Sequence, residues 1–116
     1  MQTQGISAVT FFVRSMATSV DFYERCGFVV TFGGADAEFT TLQAGDAFVN
    51  LIDNGNYAPT HWGRVIFRVA SADEQYNHLI SSGITPDAPP KDAAWGERYF
   101  HVADPDGHEL SFAELL

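Results

Sequence analysis

The pattern of apolar and polar positions repeats once along this chain, at an offset of 56 residues that places Val9 on Val65 and Gly27 on Gly83. Three further identities follow the same offset: Phe11 on Phe67, Val13 on Val69 and Ser15 on Ser71. These matches fall at strand, helix-cap and helix-stop positions. The repeat therefore predicts one supersecondary unit used twice.

Each copy opens with an apolar strand, predicted over 6–13 and 65–69, since Val, Ile and Phe dominate both stretches. A helix follows in the first copy, with Ser15 as its N-cap. Its apolar stripe consists of Met16, Val20 and Tyr23. Gly27 is expected to end this helix, because glycine adopts the left-handed C′ conformation without a steric penalty.

The helix of the second copy begins with a capping box, in which Ser71 caps and Glu74 reaches back. Gly83 ends it, as Gly27 ends the first helix. Its predicted apolar face consists of Ala72, Tyr76, Leu79 and Ile80.

Further strands are predicted after each helix, giving the order β-α-β-β-β twice. In the first copy they cover 28–32, 38–43 and 47–53, and in the second a short piece near Ile84, then 98–103 and 108–113. The last two are separated by Asp104-Pro105-Asp106-Gly107, a strong turn signal.

The predicted fold class is α+β, with two tandem β-α-β-β-β modules that form curved mixed sheets around a cleft. We expect one domain over 1–116, with module 1 at about 6–53, a linker at 54–62 and module 2 at about 63–116. The linker is rich in Asn, Gly and Pro.

Three motifs accompany the repeat: Ser19-Val20-Asp21-Phe22-Tyr23 before Gly27-Phe28, then Trp95-Gly96-Glu97-Arg98, and finally Asp104-Pro105-Asp106-Gly107. Together they resemble the vicinal oxygen chelate superfamily of glyoxalases, bleomycin resistance proteins and dioxygenases, over nearly the whole chain. The resemblance implies the same cleft-forming fold. Fold alone does not fix the chemistry.

Metal-using members of that family place His, Gln or Glu at four strand positions, two in each half. Carried onto this chain, those positions are Ala8, Asn50, Arg64 and Ser111. Divalent ions need imidazole or carboxylate ligands, which this set does not supply. The resemblance therefore implies no metal and no cofactor, and it argues against metal-dependent lyase, isomerase and dioxygenase chemistry.

Alternation along the strands predicts which side chains face the cleft once Ala8 is placed there. Val9, Phe11 and Val13 are then expected to pack beneath the first helix. The predicted ligand-binding residues are Thr10, Phe12, Phe48, Asn50, Arg64, Tyr99, His101 and Ser111, with Ile52, Ile66, Arg68 and Ala113 on the same faces. An apolar, aromatic surface with a few polar groups is typical of small-molecule sites.

Arg64 is the candidate anchor for a ligand carboxylate, which a guanidinium binds through two parallel hydrogen bonds. The alternative is a structural ion pair with Asp53 or Glu109. His101 is a weak candidate for a general base, because no nucleophile or acid partner is visible beside it. A lone histidine on a strand is more often a satisfied pocket or core residue. The other histidines, His61, His78 and His108, are expected to be solvated.

The aromatic residues Phe12, Phe48 and Trp62 either stack on a planar ligand or fill the core or a dimer interface. A homodimer is expected, with Tyr57, Pro59 and Trp62 as candidate interface residues. The net charge of −9, with only six Lys and Arg, argues against nucleic acid and anionic membranes as partners. The single Cys26 and an N-terminus without signal-peptide character favour the cytoplasm.

The leading functional hypothesis is a metal-free protein of the bleomycin-resistance-like type, which sequesters a partly aromatic or anionic small molecule. A metal-dependent glyoxalase-type lyase or ring-cleaving dioxygenase is the first alternative. A metal-free enzyme that uses His101 and Arg64 is the second. Whether any reaction is catalysed stays open at this point, as does the charge of the ligand, since the net charge favours a cation and Arg64 favours an organic acid.

Overall fold

The computed structural model describes residues 1–116, which form two compact units, Met1–Ala58 and Pro59–Leu116. The first unit contains β1 (Ala8–Val13), α1 (Met16–Arg25), β2 (Val29–Phe32), β3 (Phe39–Ala44) and β4 (Ala47–Asp53). Its four strands lie in the order β1-β4-β3-β2. β1 runs parallel to β4, and the other neighbours are antiparallel.

The second unit repeats this arrangement. It contains β5 (Arg64–Arg68), α2 (Ala72–Ser81), β6 (Lys91–Asp92), β7 (Glu97–Ala103) and β8 (Glu109–Leu115). The sheet order is β5-β8-β7-β6, and β5 runs parallel to β8 as β1 does to β4. The predicted α+β class and the doubled β-α-β-β-β order are thus confirmed. Neither helix is long and apolar enough to cross a membrane.

Both helices begin at the predicted N-cap serine and end at the predicted glycine. The Ser15 and Ser71 hydroxyls accept hydrogen bonds from the backbone N–H groups three residues later. Gly27 and Gly83 then adopt φ angles of 99° and 84°. The residue after each glycine donates its N–H back into the helix, Phe28 to the Tyr23 carbonyl at 3.0 Å and Ile84 to the Leu79 carbonyl at 2.9 Å. Both ends are therefore Schellman caps.

The core of the first unit centres on Tyr23, a fully buried residue on the sheet-facing side of α1. Its ring stacks on Phe11 at 5.9 Å between centroids and meets Phe22 and Phe28 edge-on at 5.2 and 5.4 Å. The Phe-Tyr and Gly-Phe residues that carried the family resemblance are therefore a packing motif. Their role is to fix α1 on its sheet.

The core of the second unit lies between α2 and the β7–β8 hairpin. Ala72 and Leu79 are fully buried, and Tyr76 meets Phe100 edge-on at 5.6 Å. Phe100 in turn packs on Phe112 at 5.6 Å. Ile80, predicted to belong to this face, is 45% exposed, so that prediction was wrong. The buried face of α2 therefore includes fewer residues than the spacing of its apolar side chains predicted.

The strand predicted near Ile84 was also wrong. The N–H of Ile84 is used in the cap of α2, and the chain continues through Pro86, Pro89 and Pro90, which have no N–H to offer a sheet. The edge strand β6 forms only afterwards, pairing Lys91 with Tyr99 and Asp92 with Arg98.

Candidate ligand-binding faces

Each sheet carries its own helix on one face, and we call the opposite side its open face. In the second unit the open face surrounds a concavity of about 170 Å³. Its lining residues are Arg64, Ile66, Trp95, Glu97, Tyr99, His101, Ser111 and Ala113. The structure therefore brings together four of the predicted ligand-binding residues, namely Arg64, Tyr99, His101 and Ser111.

Strand register arranges this open face in rows that cross β5, β8 and β7. The first row pairs Arg64 with Glu109, and the second contains Ile66, Ser111 and His101. A third row contains Arg68, Ala113 and Tyr99. Successive rows on one face are two residues, or about 7 Å, apart. Arg64 thus lies one row from His101 and two rows from Tyr99.

His101 has a partner that sequence reasoning missed. Its Nδ1 lies 2.5 Å from the Oγ of Ser111, which is almost fully buried. Partial burial lowers the pKa of His101 below its ordinary value, and the nearby charge of Arg64 lowers it further. The pairing could have been found from the Asp104–Gly107 turn, because centring the hairpin on Asp106 sets His101 opposite Ser111.

The ion pairs on this open face are long and exposed. Arg64 Nη2 lies 3.7 Å from Glu109 Oε1, with the two side chains 39% and 43% exposed. Arg68 Nη2 lies 4.0 Å from Glu97 Oε2. Pairs of this kind contribute little to stability, so a ligand could displace their carboxylates readily. Arg68 is the more exposed of the two arginines, at 59% against 39% for Arg64.

Aromatic rings form the other end of the concavity. Trp95 stacks on Tyr99 at 5.7 Å with an interplanar angle of 27°, and its Nε1 donates to Glu97 Oε1 at 2.8 Å. Lys91 Nζ lies 5.6 Å from the centre of the Tyr99 ring. Sequence reasoning did not include Trp95, Glu97 or Lys91 among the site residues. Extending the alternation of β7 back from Tyr99 would have found Glu97.

The open face of the first unit carries a polar row between apolar neighbours. Thr41 Oγ1 donates to Asn50 Oδ1 at 2.8 Å, and Asn50 Nδ2 donates to Thr10 Oγ1 at 3.4 Å. Phe12 and Phe48 are 46% and 37% exposed. Phe12 packs against Tyr57 at 6.1 Å between centroids. Both side-chain atoms of Asn50 that could meet a ligand are thus already hydrogen-bonded.

His108 is not solvated, which corrects the sequence-based expectation. It is 3% exposed, and its Nδ1 accepts a hydrogen bond from Trp62 Nε1 at 3.0 Å. The cause is Asp104, whose carboxylate accepts the N–H groups of Asp106 and His108, both at 2.9 Å, and folds the turn back on itself. His61 and His78 are exposed as expected.

Comparison with known proteins places this geometry in a family. The model of the Glyoxalase/Bleomycin resistance protein/Dioxygenase superfamily matches residues 5–112. The chain belongs to this superfamily.

Two solved structures of the superfamily share about a quarter of their residues with this member. A bleomycin resistance determinant encoded on the transposon Tn5 is 25% identical, over 97% of this chain and 98% of that one, with a TM-score of 0.80. A bleomycin-binding protein complexed with bleomycin is 26% identical, over 99% and 100%, with a TM-score of 0.76. Their similarity extends over the whole of both units.

Two further relatives widen the comparison. A glyoxalase family protein from Bacillus anthracis is 20% identical over 100% of this chain and 98% of that one, with a TM-score of 0.82, which supports the fold alone. An uncharacterized protein of Mycobacterium tuberculosis is 25% identical over an alignment that covers 88% of this chain and 69% of that protein.

The four positions named from the family resemblance, Ala8, Asn50, Arg64 and Ser111, offer neither imidazole nor carboxylate to a divalent ion. Ala8 has no donor atom, and Arg64 carries a positive charge beside Glu109. Asn50 and Ser111 are neutral oxygen donors engaged with Thr41 and His101. No group of three or more His, Cys, Asp or Glu side chains in this structure could hold a metal ion.

Proposed function

We propose that this superfamily member is a metal-free, small-molecule-binding protein of the bleomycin-resistance-like type, which sequesters a partly aromatic or anionic ligand. The observation that carries the proposal is the contrast within the second unit. Arg64 and Ser111, to which the family resemblance assigns two of the metal-ligand positions, offer a divalent ion neither imidazole nor carboxylate, yet the open face around them keeps a concavity lined by aromatic and polar groups. A surface of that composition is suited to holding a small molecule.

The size of the concavity limits what the second unit can enclose alone. About 170 Å³ is less than the roughly 300–1,000 Å³ of sites that take drug-sized ligands. The open face of the second unit would therefore contact only part of such a ligand. Thr10, Phe12, Phe48 and Asn50, on the open face of the first unit, stay predicted ligand contacts of that face.

The named relatives support binding rather than a reaction. Both proteins at 25–26% identity are named for bleomycin, one as a resistance determinant and one as a complex with bleomycin itself. Their similarity covers both units of this chain, so the fold is one that accommodates a small molecule. The identity of the ligand of this member does not follow from theirs.

Metal content tests the metal-free part of the proposal. Untagged protein would be incubated with Zn, Ni, Mn and Fe, desalted and analysed by mass spectrometry beside a chelator-treated sample. Because Ala8, Asn50, Arg64 and Ser111 form no suitable ligand set, we expect less than about 0.1 equivalent of any metal. A stoichiometric metal would contradict the proposal and favour a glyoxalase-type lyase or a ring-cleaving dioxygenase.

A second candidate function is a metal-free enzyme that uses His101 and Arg64. The observation that favours it is the 2.5 Å contact between His101 Nδ1 and Ser111 Oγ, with the pKa of His101 lowered so that the imidazole is a neutral base at pH 7. An activity that depends on pH and disappears in His101→Ala would support it. If wild type and His101→Ala both bind the ligand and leave it chemically unchanged, the result would support sequestration.

A further inference from the structure

The chain's few cations are concentrated on one surface. Of its six Lys and Arg residues, three lie on the open face of the second unit, namely Arg64, Arg68 and Lys91. The protein as a whole carries a net charge of −9. The same face carries two carboxylates, Glu97 and Glu109, so its formal charge is slightly positive, in contrast to the protein as a whole.

The ion pairs of these cations differ from those elsewhere. Arg98 is held between Asp73 and Asp92 at 3.0 and 3.1 Å, and Arg25 lies 3.0 Å from Asp21. The nearest carboxylate to Arg64 lies at 3.7 Å, beyond hydrogen-bonding distance. A guanidinium has five N–H donors in a planar fork that matches a carboxylate. Arg64 therefore keeps its capacity to bind an incoming anion.

The rows of the open face give a shape to that ligand. Arg64 and His101 occupy neighbouring rows at one end, and His101 turns Nδ1 to Ser111, which leaves Nε2 as the ring nitrogen that can meet a ligand. Ile66, which is 61% exposed, continues the surface toward Tyr99 and Trp95. The Arg64 row and the Tyr99 row are about 14 Å apart along the strands, the length of a small elongated molecule.

The overall acidity of the protein does not reverse this preference. Charges farther than a Debye length of about 8 Å at physiological ionic strength are largely screened, so the groups that touch the ligand decide its charge. Those groups include Arg64 at one end and Lys91 beside the Tyr99 ring. A cationic ligand would have to lie against both.

We propose that the second unit's open face recognises an elongated aromatic carboxylate, with the carboxylate on Arg64 and the planar ring against Tyr99 and Trp95. This inference rests on the proposed binding function and specifies its ligand class. Glu109 is the internal competitor that the ligand carboxylate displaces from Arg64.

Calorimetric titration with a matched set of probes tests the ligand class. The set is 4-(2-naphthyl)butanoate, whose length matches the separation of the two rows, its neutral analogue 4-(2-naphthyl)butanamide and the cation 4-(2-naphthyl)butylamine. We expect the acid to bind at least about tenfold more tightly than either of the others, because only the acid forms the charge-assisted pair with Arg64.

Two variants with opposite expected effects separate this role from a structural one. Arg64→Gln should abolish the preference for the acid over the amide. Glu109→Gln should strengthen binding of the acid, since Arg64 then has no carboxylate beside it. Arg25→Gln, which changes the net charge by the same amount on α1, is the control and should leave the affinities unchanged.

Each failure has its own meaning. Equal binding of the three probes, tighter binding of the amine, or weaker binding of the acid by Glu109→Gln would overturn the aromatic-carboxylate assignment while leaving small-molecule binding intact. Absence of binding by all three probes would also overturn it. The proposed function itself would fail only if a broad thermal-shift screen found no ligand of any charge.

Discussion

At the scale of single residues, the second unit's open face owes its polar pair to the register of one hairpin. His101 and Ser111 are ten residues apart in the chain but lie directly opposite each other on β7 and β8. The consequence for His101 is a lowered pKa, caused first by burial and then by Arg64, and only partly offset by the carboxylates of Asp87 and Glu109. Lys91 adds a smaller effect in the same direction as Arg64.

The pH dependence of stability follows from that shift. A histidine whose folded pKa is below its ordinary 6.5 binds fewer protons in the folded state than in the unfolded state. Its contribution is thus complete above pH 6.5 and is lost as the pH falls toward the folded pKa. We expect wild type to lose more free energy of unfolding between pH 7.5 and 5.5 than His101→Gln, by less than about 1 kcal/mol, in urea titrations. An equal loss of stability in wild type and His101→Gln would contradict the lowered pKa of His101.

The affinity for a carboxylate ligand should depend on pH in the opposite direction. A bound anion near His101 favours the protonated imidazole. Affinity for 4-(2-naphthyl)butanoate should therefore increase as the pH falls below 6.5.

Which site residues can be predicted from a sequence depends on whether alternation alone places them. Arg64 and Tyr99 follow from the two-residue period of their strands, and the structure puts both on the same open face. His108 does not follow, because its burial is set by the carboxylate of Asp104 and by Trp62, which is 46 residues away in the sequence. Contacts of that kind have no local signature.

At the scale of elements, the two glycines that end the helices are the clearest local signal in the chain. Gly27 has φ of 99°, and a Cβ built on it would meet no atom within 4 Å. The cost of a side chain there is therefore conformational alone. We expect Gly27→Ala to lower the free energy of unfolding by about 1 to 2 kcal/mol, measured by urea denaturation.

Gly55 provides a matched comparison, since a Cβ there also meets open space and its φ lies outside the left-handed region. Gly55→Ala should change stability by less than about 0.5 kcal/mol. Similar effects of the two substitutions would show that the Schellman cap of α1 is not what Gly27 contributes.

The elements themselves were largely predictable, and the exception has a physical reason. Helices and long strands can be recognised in a sequence from their capping residues and from the spacing of their apolar residues. The bounds predicted for β4, Ala47–Asp53, are those that the structure has. The two-residue strand β6 has no period to detect. It exists because β7 offers an unpaired edge to whatever segment follows the prolines.

At the scale of the whole molecule, we expect a homodimer. Several large apolar side chains are exposed in the single chain, among them Phe32 at 65% and Trp95 at 70%. Exposed apolar surface of this kind commonly marks an interface. Light scattering after size exclusion should therefore give twice the chain mass of 12.7 kDa. A mass of one chain at micromolar concentration would remove the dimer and the interface role of Tyr57, Pro59 and Trp62.

The topology of the second unit also implies an order of assembly. The β7–β8 hairpin is closed by the short turn at Asp104, whereas β5 meets β8 only after some forty intervening residues. Closing the longer loop costs more chain entropy, so we expect the hairpin to form early and β5 to dock late. Arg64 belongs to β5, whereas His101 and Ser111 belong to the hairpin that is expected to form first. The proposed ligand-binding surface is thus expected to be completed by the last step of folding, and a ligand that binds it at that step would favour the native state.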